Sequence, residues 1–177
     1  MEFKYDGGLL WLDFHVNKGS VQRASYIKFD GNQILPQDVN ARINHYSFPI
    51  GQNPMKITFN IFPLTDDVFG TSFFMELERV TNQISSVALV WFTTKTRNPF
   101  VLIPTLKTIV QQFVERKVDV TSEILRLCVE DVIRRNGLID LNLKGIHLKS
   151  TPISKDLVYL AKFLDITRKF QLFSALG

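Results

Sequence analysis

Residues 86–117 read SVALVWFTTKTRNPFVLIPTLKTIVQQFVERK, and the hydrophobic period changes inside this stretch. From Ser86 to Thr94 the chain is a short, nearly continuous apolar run, the composition of a buried strand. After Asn98-Pro99, residues Leu102, Leu106, Ile109, Val110, Phe113 and Val114 fall at helical spacing, which predicts a helix from about Pro104 to Lys117. The chain therefore divides near this Asn-Pro step into a β half and a half richer in helix.

Upstream, Leu10, Leu12, Phe14 and Val16 alternate with the other face of a first strand, and Asn17-Lys18-Gly19-Ser20 supplies a turn. Ser25–Phe29 reads as a second strand, the stretch from Gln33 to Ala41 as a polar loop around Pro36, and Ile43–Phe48 as a third strand. The clearest two-residue period is that of Met55, Ile57, Phe59 and Ile61 against Lys56, Thr58 and Asn60, closed by Pro63 and Asp66-Asp67. Phe73–Val80 follows and passes through Thr81-Asn82-Gln83 into the strand quoted above.

Downstream, Asp119 or Thr121 caps a second helix. Its apolar face is Ile124, Leu125, Cys128 and Val132, its acidic residues Glu123 and Glu130-Asp131 are read as biased toward the N-terminal portion, and it stops at Arg134-Arg135-Asn136-Gly137. Leu138–Lys149 alternates as one late strand interrupted by Gly145, and a last helix is expected from Lys155 to about Phe173. The expected fold is a single α+β domain over residues 1–177. An antiparallel, sandwich-like or curved sheet of five to six strands (1–97, mainly β) precedes two to three helices with one late strand (98–177, mainly helical and basic).

A length of 177 residues suits one domain, and 45% hydrophobic content is enough to fill its core. Fifteen phenylalanines are many for that core, so part of the aromatic surface is expected at a self-association interface. The single cysteine, Cys128, allows no intramolecular disulfide and suits a reducing compartment. The first residues show no signal-peptide pattern, Glu2 does not suit myristoylation, and no apolar run approaches the roughly 20 residues that span a bilayer. A soluble or peripheral protein is expected.

Charge is segregated along the chain. Residues 1–90 carry seven Lys/Arg against nine Asp/Glu, net −2, whereas residues 91–177 carry fourteen against eight, net +6. Such asymmetry points to a polyanionic partner, nucleic acid or an anionic membrane surface. The candidate contacts for nucleic acid or lipid headgroups are Lys95, Arg97, Lys107, Arg116 and Lys117 around the first helix, and Arg134 and Arg135 at the end of the second. Lys144 and Lys149 near the late strand, with Arg168 and Lys169 near the end, complete the set. Tyr46, Trp91 and Phe92 are candidates to stack single-stranded bases beside it.

Patterns that carry catalysis are missing from the sequence. His15, His45 and His147 lie far apart without metal-ligand spacing, and Cys128 sits on an apolar helix face. Asp66-Asp67 reads as a solvated turn, and Gly7-Gly8 precedes a strand instead of linking a strand to a helix as a phosphate loop does. A non-enzymatic protein with no cofactor and no metal is expected.

The succession of elements resembles a known family. A strand near the start, a polar loop with Pro36, a strand ending in Phe48-Pro49, a phenylalanine-rich strand closed by Asp66-Asp67, and two strands leading to a helix after Asn98-Pro99 are similar to the layout of the bornavirus matrix protein. They are similar also to the small matrix proteins of plant rhabdoviruses, the cytorhabdoviruses especially. The stretches that carry the likeness are Leu9–Phe29, Ile34–Phe69 and Phe73–Asp119. The resemblance implies a homo-oligomer that links viral nucleocapsid or RNA to an anionic membrane surface as a peripheral protein, in the virion and the host cytoplasm. A sequence-nonspecific RNA-binding accessory protein or silencing suppressor, using the same basic residues without forming a lattice, is the alternative. The long Lys-rich N-terminus and Pro-Pro-x-Tyr segment of animal rhabdovirus matrix proteins have no counterpart here.

Overall fold

The structure, a computed structural model, describes residues 8–27, 41–44, 58–63, 68–94 and 99–152. Its elements in chain order are β1 (Leu9–His15), β2 (Gly19–Tyr26), β3 (Thr58–Pro63), β4 (Val68–Thr81) and β5 (Ile84–Thr94). A 3-10 turn (Pro99–Leu102) then leads into α1 (Ile103–Glu115), α2 (Ser122–Arg134), β6 (Asp140–Leu143) and β7 (Ile146–Lys149). The first five strands form one antiparallel sheet in the order β2-β1-β5-β4-β3, and β6 and β7 pair as a separate hairpin. The α+β expectation holds, with the late segment as a strand pair.

β1, read from the alternation of Leu10, Leu12, Phe14 and Val16, is buried on both faces over Leu9–Leu12. Leu9 and Trp11 join Phe73, Leu89 and Trp91 in the larger core, under α1 and α2, while Leu10 and Leu12 pack on the opposite face with Ile27, Ile43, Phe62 and Phe92. A central strand covered on both sides reads as a continuous apolar run, which Leu9–Leu12 is. Trp11 meets Phe113 of α1 with ring centroids 5.9 Å apart, in a tilted contact. Packing at the strand's start is tight. A Cβ on Gly8 would stand 1.7 Å from the Tyr26 carbonyl oxygen, so only glycine fits beside β2 there.

Several boundaries differ from expectation. β2 begins at Gly19, well before Ser25, because hydrogen bonding to β1 holds the mostly polar Ser20–Arg23 as an edge strand. Residues 41–44 form a helical turn that buries Ile43, so the strand expected from Ile43 does not start there. β4 starts at Val68, five residues before Phe73, and carries Gly70, Thr71 and Ser72 through the sheet. Leu138–Lys149 is a hairpin: Lys144 and Gly145, at φ +45° and +88°, make a tight two-residue turn between β6 and β7. The readings for Tyr46, Met55–Ile57 and the last helix lie outside the described residues.

Both helices end in the same way. At α1, Lys117 adopts φ +53°, its N–H donates to the Val114 carbonyl and that of Val118 to Phe113. At α2, Asn136 takes φ +53° and Gly137 φ +99°, with N–H bonds to the Ile133 and Val132 carbonyls. These are left-handed helix caps that satisfy the last carbonyls. Of the two proposed N-caps, Thr121 is the one used, its hydroxyl accepting from Ile124 N–H at 3.3 Å.

Candidate anion-binding surface

α2 and the β6–β7 hairpin are joined by one buried carboxylate. Asp131, expected toward the N-terminal portion of α2, stands in its last turn, with its side chain 1% exposed. Arg134 Nη2 donates to its Oδ1 at 2.7 Å, Arg135 Nε to its Oδ2 at 3.1 Å, and the backbone N–H of Asp140 to Oδ2 at 2.9 Å. Two arginines bound to the two oxygens of one carboxylate must stand side by side. Their heads are not spent by this: the Arg134 side chain remains 69% exposed and that of Arg135 42%.

The hairpin brings a third cation to the same place. Asp140 and Lys149 are cross-strand partners at the open end of β6–β7. Lys149 makes no ion pair among the described residues, because the Asp140 carboxylate is instead held by His147 Nε2 at 2.5 Å. That hydrogen bond, with the charges of His147, Arg135 and Lys149, holds the Asp140 carboxyl below its usual range. Ser150 anchors the base of the hairpin. Its Oγ accepts from Ile139 N–H at 2.9 Å and lies 3.1 Å from Thr105 Oγ1, which donates to the Gly137 carbonyl. Around these groups runs an open depression of about 520 Å³ lined by Arg134, Arg135, Lys149, Asp140, Ser150 and the apolar Leu138, Ile139 and Pro152.

The structure thus unites three of the basic residues singled out in the sequence, Arg134, Arg135 and Lys149, and separates others from them. Lys144 occupies the turn at the opposite end of the hairpin from Lys149, four strand residues or about 13 Å away. Lys107 is exposed on α1, and Arg116 and Lys117 follow that helix's C-terminus about 13 Å along its axis. Cations suit that end, where the carbonyl dipoles gather. Lys95, Arg97, Arg168 and Lys169 lie outside the described residues.

One sequence reading is corrected. Trp91 and Phe92 are fully buried on opposite faces of the sheet, so neither can stack a base. Of the described phenylalanines, Phe62, Phe69, Phe73, Phe92 and Phe113 are buried, Phe74 is half-buried, and Phe14 and Phe59 are exposed. Spacing alone would have exposed Asp131 as a partner, since it precedes Arg134 and Arg135 by three and four residues on a helix. The same spacing pairs Arg126 with Glu123 and Glu130 on the outer face of α2.

Cys128 is sealed among the core residues of α2, and burial, with the nearby Asp131 charge, pushes its thiol up to about 12. A thiol in that state is a packing group, not a nucleophile at neutral pH. Among the described residues no cluster of three or more His, Cys, Asp or Glu side chains could hold a metal, and no helix is long and apolar enough to cross a membrane. In comparisons with known proteins, no family model and no curated protein matches the chain.

Proposed function

We propose that this chain is a non-enzymatic structural protein of the matrix type, self-assembling and peripheral to an anionic membrane, to which it couples a ribonucleoprotein. The observation that carries this reading is the convergence of Arg134, Arg135 and Lys149 on one open depression, contributed by the end of α2 and the hairpin that follows it. A cationic, partly apolar hollow suits phosphate groups presented by a surface. Burial of Trp91 and Phe92 removes two of the three aromatics considered for base stacking, which supports phosphate contact over base stacking. Phe14, Val21 and Phe59 leave apolar surface on the sheet for contacts between copies.

The test is sedimentation of the full chain with phosphatidylcholine vesicles, with and without phosphatidylglycerol, at low and physiological salt, together with light scattering. Binding only to the anionic vesicles, weakened by salt, and a mass above that of the monomer are expected. A chain that stays monomeric over a wide concentration range and ignores both vesicle types would overturn the proposal. Tight binding to single-stranded RNA without lipid binding or assembly would move the assignment to an RNA-binding accessory protein.

A further inference from the structure

Within the basic surface, the depression between α2 and the β6–β7 hairpin has the features of a discrete site. Its cations are positioned before any ligand arrives, because Asp131 fixes both guanidinium groups at the end of α2. Arg134 offers its Nε and Nη1 donors, and Arg135 its two terminal nitrogens, none of which is used in a described hydrogen bond. Lys149 is released from its cross-strand neighbour by the His147–Asp140 hydrogen bond. The local count is three positive side chains against two carboxylates, net +1, before any charge on His147. Arginine forks bind phosphate oxygens bidentately as they do carboxylates, and each guanidinium keeps donors that Asp131 does not use.

We propose that this depression is a single-phosphate site, taking one phosphate group on Arg134, Arg135 and Lys149, with Asp131 as the built-in counter-anion that holds the empty site together. The inference rests on the anionic-surface reading and narrows it from a diffuse patch to one ligand position. It makes two residues act in opposite senses. The Lys149 side chain attracts the phosphate and makes no ion pair among the described residues, whereas Asp131 supports the fold and repels the phosphate.

The experiment is an amide NMR titration of the full chain with inorganic phosphate, repeated for Lys149→Gln and Asp131→Asn, beside vesicle sedimentation of the same proteins. Phosphate should shift the amides of Leu138, Ile139, Asp140 and Ser150 as one saturable event. Lys149→Gln should weaken it about five-fold, the equivalent of about 1 kcal/mol for one cation at such a site. Asp131→Asn should tighten it by a similar factor. If inorganic phosphate also displaces the chain from phosphatidylglycerol vesicles, the bound group is a lipid headgroup; saturation without displacement assigns the site to free phosphate. Shifts spread over every exposed lysine, or an unchanged response in Lys149→Gln, would overturn the single site. Should the parent still sediment with anionic vesicles in that case, the broader proposal survives. Saturable phosphate shifts without any vesicle binding would sink the broader proposal and keep the site.

Discussion

Replacing Asp131 by Asn removes one buried negative charge and turns one of its two acceptor oxygens into a donor. The carboxylate now receives hydrogen bonds from three donors, Arg134, Arg135 (shared between both oxygens) and the Asp140 backbone. Only the last is a bond to a backbone group fixed in place, and a charged acceptor there is worth about 1.5–3 kcal/mol. The two arginine pairs count for less. Their side chains are 69% and 42% exposed, so water screens them and about 0.5 kcal/mol each is the appropriate figure. Against these stands a gain: a negative charge in the last turn of α2 opposes the helix dipole by about 0.5 kcal/mol, and burying an amide costs less than burying a carboxylate. The balance is a loss of about 2 kcal/mol. The larger penalty of about 3–5 kcal/mol for splitting a buried ion pair does not apply, because the arginines left behind are open to water.

Urea unfolding of the full chain followed by circular dichroism measures this directly, and the midpoint should fall with the slope unchanged. Arg134→Gln and Arg135→Gln should each cost under about 1 kcal/mol in the same assay. A loss below about 0.5 kcal/mol for Asp131→Asn would refute the claim that this carboxylate ties α2 to the hairpin. So would an arginine substitution that costs more than the aspartate one.

Lys117→Gly should stabilise the chain by about 1 kcal/mol, since Lys117 occupies a left-handed helix cap at φ +53°, where glycine pays no Cβ penalty; a lower urea midpoint would contradict the cap geometry. Cys128 should resist alkylation by iodoacetamide at neutral pH until the chain is unfolded, because its thiol is buried and pushed up to about 12; labelling of the native protein at the unfolded rate would refute the packing. Asp140 should titrate below the ordinary carboxylate value of 3.8, and His147→Asn should raise it toward that value in a carboxyl-carbon NMR titration. Because its ionised form is the favoured one in the fold, its contribution to stability is present above pH 3.8 and lost as pH falls through its lowered value. An Asp140 titration indifferent to His147 would remove the basis for a freed Lys149.

Local rules made most elements legible. The strand of Ser86–Thr94, the helix after Pro99 and the Thr121 cap, one of two offered, depend on residues within a turn of each other, and all three stand in the structure. The departures come from contacts distant in sequence. Ser20–Arg23 shows no apolar alternation beyond Val21 and is a strand because β1 lies beside it; Ile43 is drawn into a helical turn that fills the face opposite α1. Lys144-Gly145 is an instance of the opposite kind, a local signal passed over. Two residues between alternating runs mark a hairpin turn, although lysine is an uncommon first residue at positive φ.

Charge is where sequence reading and structure diverge most instructively. The net +6 of residues 91–177 treats every cation as equal, and the structure does not. Arg126 is committed to Glu123 and Glu130, and Arg134 and Arg135 are half committed to Asp131, while Lys107, Arg116, Lys117, Lys144 and Lys149 make no ion pair among the described residues. A diffuse polyanion should therefore sense mainly these unpaired cations, spread over α1, its C-terminal cap and the hairpin. A small, highly charged group gains more from the arginines, whose position the fold has already fixed, and only Lys149 belongs to both sets. Its substitution should consequently lower phosphate and vesicle binding together, whereas Lys107→Gln should lower vesicle binding alone. A proportional loss of both in Lys107→Gln would mean that the cations act as one smeared charge, and the distinction between patch and site would fall.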